Sequence, residues 1–447
     1  MTDPAPAVTA TSANWSSRDP WQRNNDGELL IGNRPLALVV ESVGSTPCYL
    51  YDRERLSARA RNLRSRLPAE VHLHYAMKAN PMPALVCHMA GQVDGIDVAS
   101  RGELRVALDS GMSPEHISFA GPGKSASELR QAVAAGILIN IESFREIGIL
   151  ADASRQWGQA ARVAVRINLP FELKASGMKM AGGARQFGID ADQVTNMLDK
   201  ISQAGLAFEG FHMYAGSQNL RPAAIVESQL RCYELALEWR DQFPAPLRSL
   251  NLGGGFGIPY TVNDMPLDTD PILLNLNELA VRARKDLPGA HLVIELGRYL
   301  VGEAGLYVAR VIDRKISRGQ VFLVVDGGMH QHLAASGNFG QVMRKNYPVE
   351  VNRRSSETET ASVVGPLCTP LDLLADRVPL NVAEVGDLVV VFQSGAYGRT
   401  ASPRDFLGHP AFVTHKAGSL RRGADGRAEY GQAGGLARQG LISRAKA

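Results

Sequence analysis

His74-Tyr75-Ala76-Met77-Lys78-Ala79-Asn80-Pro81 joins the end of a short apolar strand, Val71 to Tyr75, to a helix opened by Asn-Pro. A lysine at the end of a buried strand is costly as a charge. Desolvation there favours the neutral amine, which can condense with an aldehyde. From these eight residues alone, a surface lysine just past a strand reads equally well. What separates the two readings is whether other strands end in groups that complement an amine.

Working outward, strand-like runs recur at 71–75, 95–98, 117–120, 138–141, 162–167, 208–214, 248–252 and 291–295. Between them lie helical stretches, among them 54–66, 101–109, 125–135, 190–204, 222–240 and 274–286. Val194, Leu198, Ile201 and Leu206 show the helical apolar period. Alternating strand and helix implies an α/β fold with a parallel sheet, and eight units over roughly 250 residues match a (β/α)8 barrel of the TIM type. That reading is favoured over a doubly wound open sheet. Past Glu295 the pattern changes to Val-rich strand candidates at 305–315, 320–326, 347–352, 361–364 and 387–393, without a long amphipathic helix. These predict a second, all-β domain.

Near the N-terminus, Glu28 to Ile31, Leu36 to Val40 and Thr46 to Tyr51 also read as strands, and they plausibly join that domain. The expected organisation is a disordered segment 1–17, N-terminal strands 18–50, the barrel 51–300, the β domain 301–414, and a disordered basic tail 415–447.

At 447 residues, two domains are the default expectation. The net charge of +3 makes no case for nucleic-acid binding. The four cysteines, Cys48, Cys87, Cys232 and Cys368, have neither CxxC spacing nor a paired-histidine pattern, which argues against structural zinc or a disulfide framework. No apolar run reaches membrane-span length, and the N-terminus lacks the basic and apolar regions of a signal peptide. A reducing cytoplasm fits these features.

A barrel places its active site at the C-terminal strand ends. Strand one ends at Lys78 and strand two in Asp97-Val98-Ala99-Ser100. Strand six ends in Tyr214-Ala215-Gly216-Ser217-Gln218, strand seven in Asn251-Leu252-Gly253-Gly254-Gly255-Phe256-Gly257, and strand eight in Glu295-Leu296-Gly297-Arg298. Three consecutive glycines let backbone N–H groups approach an anion and are hard to justify by packing alone. Arg298 offers a planar fork suited to phosphate, and Glu295 beside it calls for a cation on the same ligand. Pyridoxal 5'-phosphate presents all three complements: an aldehyde for Lys78, a phosphate for the glycines and Arg298, and a pyridine nitrogen for Glu295.

Tyr75-Ala76-Met77-Lys78-Ala79-Asn80, Gly253-Gly254-Gly255, Glu295-Leu296-Gly297-Arg298, Gly365-Pro366-Leu367-Cys368 and Gly395-Ala396-Tyr397-Gly398 together resemble the fold-type III pyridoxal-phosphate decarboxylases. That group holds the diaminopimelate, ornithine and arginine decarboxylases. The resemblance runs from Thr46 to about Gly398. Within the group the chain looks most similar to exosortase A system-associated decarboxylases and to carrier-protein-linked glutamyl decarboxylases.

The resemblance implies that Lys78 holds the cofactor, Glu295 pairs with the pyridinium, Arg298, Ser217, Gly253–Gly255 and Tyr397 receive the phosphate, and Gly297 and Tyr214 also touch the cofactor. Asp97 and Arg166 match positions near the cofactor. Cys368, supplied by the partner subunit of a homodimer, would help return a proton after carbon dioxide leaves. The implied reaction is α-decarboxylation through an external aldimine and a quinonoid.

Two departures from the family pattern bear on substrate. Tyr214 stands where a histidine usually stacks on the cofactor ring, and His212 lies two residues earlier, either sharing that face or packed in the core. Thr369 replaces the acidic residue that reads a distal amine, while Asp372 matches a nearby aspartate. Losing that carboxylate removes a charge-assisted contact worth about 2 kcal/mol, which argues against a diamino acid. Arg344 and Lys345 could meet an acidic distal group or a carrier's phosphopantetheine arm. The alternatives are a diaminopimelate decarboxylase, a racemase, which usually has arginine at the Glu295 position, and a non-catalytic cofactor carrier, which would leave the β domain without purpose.

Overall fold

The computed structural model describes residues 21–172, 178–179, 182–261, 263–339, 345–353, 355, 357–409 and 413–417. Eight parallel strands form its centre: β1 (Val71–Ala76), β2 (Gly95–Val98), β3 (Ile117–Phe119), β4 (Leu138–Ile141), β5 (Arg162–Asn168), β6 (Ala207–Met213), β7 (Ser249–Gly254) and β8 (His291–Leu296). Each pairs with the next in sequence, and β8 pairs with β1, so the sheet closes into a barrel. The closed sheet settles the choice against an open one.

Local chemistry sets where the outer helices begin. Asp52 caps Arg53–Arg64 by accepting from the Arg55 N–H, and Ser125 forms a capping box with Glu128 ahead of Ala126–Ala135. Pro222 opens the helix Pro222–Leu237 at a position where no N–H is needed. The helix announced by Asn80-Pro81 starts at Pro83 and runs to Ala90.

The β domain is a second sheet built around the long strand Gly305–Ser317. That strand pairs antiparallel with Cys48–Asp52, Gln320–Val325 and Leu388–Val391. Trp21, Leu29, Ile31, Leu36, Val39 and Val40 pack on Leu306, Val308, Val390 and Phe392, so the N-terminal segment does join this domain. One expected strand is instead a helix, Leu36–Val43. Its buried residues Leu36, Val39 and Val40 follow helical i, i+3, i+4 spacing, a pattern that a short apolar run does not distinguish from a buried strand. A further strand, Leu373–Asn381, was not signalled because Asp376, Arg377 and Pro379 interrupt its apolar pattern. The strand Val413–Ala417 pairs with Cys48–Asp52, so regular structure runs past the expected boundary at 415. The expected segment 1–17 and the rest of the tail lie outside the described residues. Among the described residues, no helix is long and apolar enough to cross a membrane.

Candidate active site

β1 ends at Ala76, and a 3-10 turn, Met77–Ala79, lifts Lys78 off the rim. Three hydrogen bonds fix the turn's exit. Tyr75 Oη donates to Asn80 O at 2.8 Å, Asn80 Nδ2 to Gly395 O at 2.9 Å, and the Tyr397 N–H to Ala79 O at 2.8 Å. The two domains therefore meet at the lysine. Lys78 itself is exposed, so the burial expected of a strand-end residue does not hold. Its Nζ sits 5.5 Å from the centre of the Tyr214 ring.

Lys78 opens into a cavity lined by Tyr214, Ser217, Gly255, Glu295, Gly297, Arg298 and Tyr397, among others. Strands one, six, seven and eight thus deliver their terminal residues to one place. Arg298 Nη1 donates to Tyr260 Oη at 2.6 Å, and its guanidinium carbon lies 4.7 Å from the Tyr397 ring centre. Tyr397 adopts φ +53°, a strained setting for a residue other than glycine, and the contact with Ala79 holds it there.

Packing alone accounts for all three glycines, contrary to expectation. A Cβ on Gly253 would stand 2.6 Å from Met213 O, one on Gly254 1.9 Å from Glu295 O, and one on Gly255 2.1 Å from Gly216 O. Backbone cannot yield as a flexible side chain can. Gly254→Ala is expected to cost about 3 kcal/mol by forcing β7 from β8. A lower urea midpoint at unchanged slope would register that loss.

Glu295 is buried, and its Oε2 accepts from Asn251 Nδ2 at 3.3 Å. Asn251 Oδ1 in turn accepts the Gly253 N–H at 2.8 Å, so one amide ties the carboxylate to the glycine turn. Burial opposes ionisation of Glu295, but the positive groups of His212, Lys78 and Arg166 outweigh it and hold the carboxyl well below its ordinary range. Among the described residues no hydrogen bond reaches Glu295 Oε1.

Asp97 and Arg166 do not line this cavity; they belong to a polar layer beneath it. Asp97 Oδ1 meets His74 Nδ1 at 3.0 Å and accepts from Ser118 Oγ at 2.6 Å, while its Oδ2 is buried without a partner. Arg166 Nη1 donates to Glu142 Oε1 at 2.9 Å and its guanidinium lies over Phe187. Glu142 also accepts from the Gly121 and Gly188 N–H groups, joining loops after three strands. His212 is corrected from the substrate-facing role. It is 2% exposed, and its Nε2 lies 3.3 Å from Glu295 Oε2. The strand ends at Met213, so the alternation that would have set His212 and Tyr214 on one face stops there.

The loop Gly365–Asp372 supplies nothing to the cavity of its own chain. Cys368 is exposed. Thr369 Oγ1 accepts the Leu371 N–H at 3.3 Å. Asp372 is buried, with Oδ1 accepting from Met329 N–H at 2.6 Å and Oδ2 from Leu367 N–H at 2.8 Å. It staples two loops together and has no free oxygen facing a substrate. Arg344 lies outside the described residues, and Lys345 is exposed. Glu142 and Tyr260 went unsingled in the sequence, and Asn251 and Asn80 stood within the quoted stretches with no sign of the contacts they make. Asn251, two residues before the glycines, and Glu142, a charge ending an apolar strand, were the available signals.

The cavity suits pyridoxal 5'-phosphate: an amine, a carboxylate with one uncommitted oxygen, a guanidinium, and a glycine turn whose backbone no Cβ covers. The comparisons agree. A family described as "Pyridoxal-dependent decarboxylase, pyridoxal binding domain" matches residues 53–302. The chain is 40% identical to the L-glutamyl-[BtrI acyl-carrier protein] decarboxylase of Niallia circulans, over 82% of this chain and 87% of that protein. It is 31% identical to the 2-[(L-alanin-3-ylcarbamoyl)methyl]-2-hydroxybutanedioate decarboxylase of Staphylococcus aureus, over 81% and 92%. The crystal structure of Helicobacter pylori diaminopimelate decarboxylase complexed with L-lysine superposes with a TM-score of 0.76 at 26% identity, covering 85% of this chain and 94% of that one. The chain belongs to the fold-type III pyridoxal-dependent decarboxylases and is a carboxy-lyase that uses pyridoxal 5'-phosphate.

Proposed function

We propose that this enzyme decarboxylates an amino-acyl substrate whose distal end is not a free ammonium, with a carrier-linked or amide-linked acyl group as the best match. The observation that carries this is the state of the loop Gly365–Asp372. Its residue after Cys368 is Thr369, and both oxygens of Asp372, its one carboxylate, are occupied by backbone amides. A distal ammonium would find no free acid there, and burying it unpaired is costly. The names of the Niallia circulans and Staphylococcus aureus relatives, a carrier-linked glutamyl group and an amide, support the same direction.

In this reading Lys78 would be the amine that holds the cofactor through its aldehyde. Arg298, Ser217 and the Gly255 backbone hold the phosphate, and the Tyr214 ring covers one side of the pocket. Glu295, with Oε2 engaged by Asn251, would hold a proton at the ring nitrogen. When bound, the cofactor supplies a conjugated ring that takes up the electron pair left on Cα as carbon dioxide departs. Cys368, exposed on its loop and absent from its own chain's cavity, serves the cavity of a second copy and returns the proton to Cα. The functional unit is accordingly a homodimer working in the cytoplasm, on a small-molecule or tethered substrate.

Carbon dioxide release from carboxyl-labelled substrates tests the proposal. A carrier-linked glutamyl thioester should exceed diaminopimelate, lysine and ornithine in kcat/KM by about 100-fold or more, the penalty for an unpaired distal charge. Comparable turnover of diaminopimelate would contradict it.

A further inference from the structure

Beneath the cavity sits a histidine that the reaction as described does not use. His212 is 2% exposed; among the described residues neither ring nitrogen makes a well-aligned hydrogen bond, and Nε2 has only the Glu295 carboxylate within reach. A buried polar group left unsatisfied costs about 1–3 kcal/mol, so an apolar residue of similar size would serve core packing better. The register shows what His212 faces. On β6 it stands between Arg166 of β5 and Asn251 of β7, one polar residue per strand at the same level. Its Nε2 lies 3.3 Å from Glu295 Oε2, the same oxygen that accepts from Asn251 Nδ2. Oε2 is thus approached from two neighbouring strands, and Oε1 is left uncommitted.

We propose that His212 is a positioning residue: it holds Glu295 Oε2 from below, keeping the carboxylate ionised and Oε1 available to the cofactor's ring nitrogen. This rests on the cofactor-site reading above. The other charged or titratable groups around the pair are Arg166 on β5, Lys78 and His74 from β1, Asp97 on β2 and the Tyr214 phenol. Of the side chains that act on Glu295, Arg166 is bound to Glu142 and Lys78 lies at the cavity rim, whereas His212 Nε2 stands 3.3 Å from Glu295 Oε2 itself.

The test titrates the purified full chain, stripped of cofactor, with pyridoxal 5'-phosphate and follows the bound cofactor's absorbance against pH. In His212→Met, Kd should rise about tenfold and the acid-side midpoint should move up by about one pH unit, as expected when a carboxylate loses its supporting partner. In substrate turnover, kcat should fall while KM stays within about twofold, since the effect is on the cofactor and not on substrate contacts. Glutamine places an amide nitrogen where imidazole Nε2 stands, so His212→Gln should return Kd to within about threefold of the parent. Folded His212→Met with unchanged Kd and midpoint would overturn the proposal, as would His212→Gln behaving no better than His212→Met.

Should His212→Met fail to fold, His212→Asn replaces it as the comparator, because its amide sits where Nδ1 stands, away from Glu295. Tighter binding by the Gln variant than by the Asn variant supports the assignment, and equal binding overturns it. Failure of the underlying cofactor site would look different: the parent chain itself would not bind pyridoxal 5'-phosphate at Lys78.

Discussion

Lys78→Ala is expected to lose decarboxylation by on the order of 10³-fold or more and to lose the visible absorbance of the covalently held cofactor. Lys78 is the amine lining the cavity that Glu295, Arg298 and Ser217 also line, and three hydrogen bonds fix the chain leaving its turn. Because the side chain is exposed, its removal should leave stability within about 0.5 kcal/mol, so a loss of function cannot be blamed on unfolding. Lys78→Arg separates charge from chemistry: it keeps a cation at the rim but offers no amine that condenses. It should fail as completely as the alanine variant. Paired absorbance and carbon dioxide assays, with a melting curve for each variant, check all three points.

Glu295→Gln should lower kcat by about 10²- to 10³-fold, the scale seen when a fixed charge aimed at the reacting system is neutralised. The side chain keeps its shape and can still meet Asn251, so the fold should persist. What goes is the negative charge that holds a proton on the ring nitrogen. A second signature follows from linkage. Burial raises the cost of ionising Glu295, yet His212, Lys78 and Arg166 bring the folded pKa below the ordinary 4.5. An acid depressed by folding stabilises the native state above its unfolded pKa, and that stabilisation is lost as pH falls from 4.5 toward the depressed value. Chemical denaturation at stepped pH should therefore show a steeper acid-side loss in the parent than in Glu295→Gln. Equal slopes would mean that the carboxylate is not held ionised by its neighbours.

Much of this was legible in the sequence because a parallel barrel writes its repeat plainly. All eight strands could be placed from apolar runs separated by amphipathic helices, and the ends of strands one, six, seven and eight carry residues that line the cavity, whereas that of strand two does not. Reading failed where one physical signal served two outcomes. Leu36–Val40 is apolar throughout, and only its packing on Val308 and Val390 distinguishes helix from strand. His212 and Tyr214 differ by two residues, but the strand's end at Met213 sends them to different surroundings. Asp372 looked available as a charge until the Met329 and Leu367 amides were seen to occupy it. Lys78 was expected to be desolvated by its strand, and the 3-10 turn undoes that. The glycines were read for what they could bind, whereas their close contacts with Met213, Gly216 and Glu295 already exclude side chains. Contacts between elements distant in sequence decided each case.

The loop around Cys368 shows a different limit. Its residues are exposed or committed within their own chain and do not line their own cavity, so the proposed role for Cys368 needs a second copy. Mixing Lys78→Ala with Cys368→Ala chains would restore one intact site per heterodimer if each site draws on both.

The most direct test of the whole account is to reduce the parent enzyme with borohydride in the presence of pyridoxal 5'-phosphate and map the modified peptide by mass spectrometry. The account predicts one pyridoxyl group per chain, on Lys78, blocked when Arg298 is replaced by alanine at low cofactor concentration. A pyridoxyl group on any other lysine, or none, would contradict it.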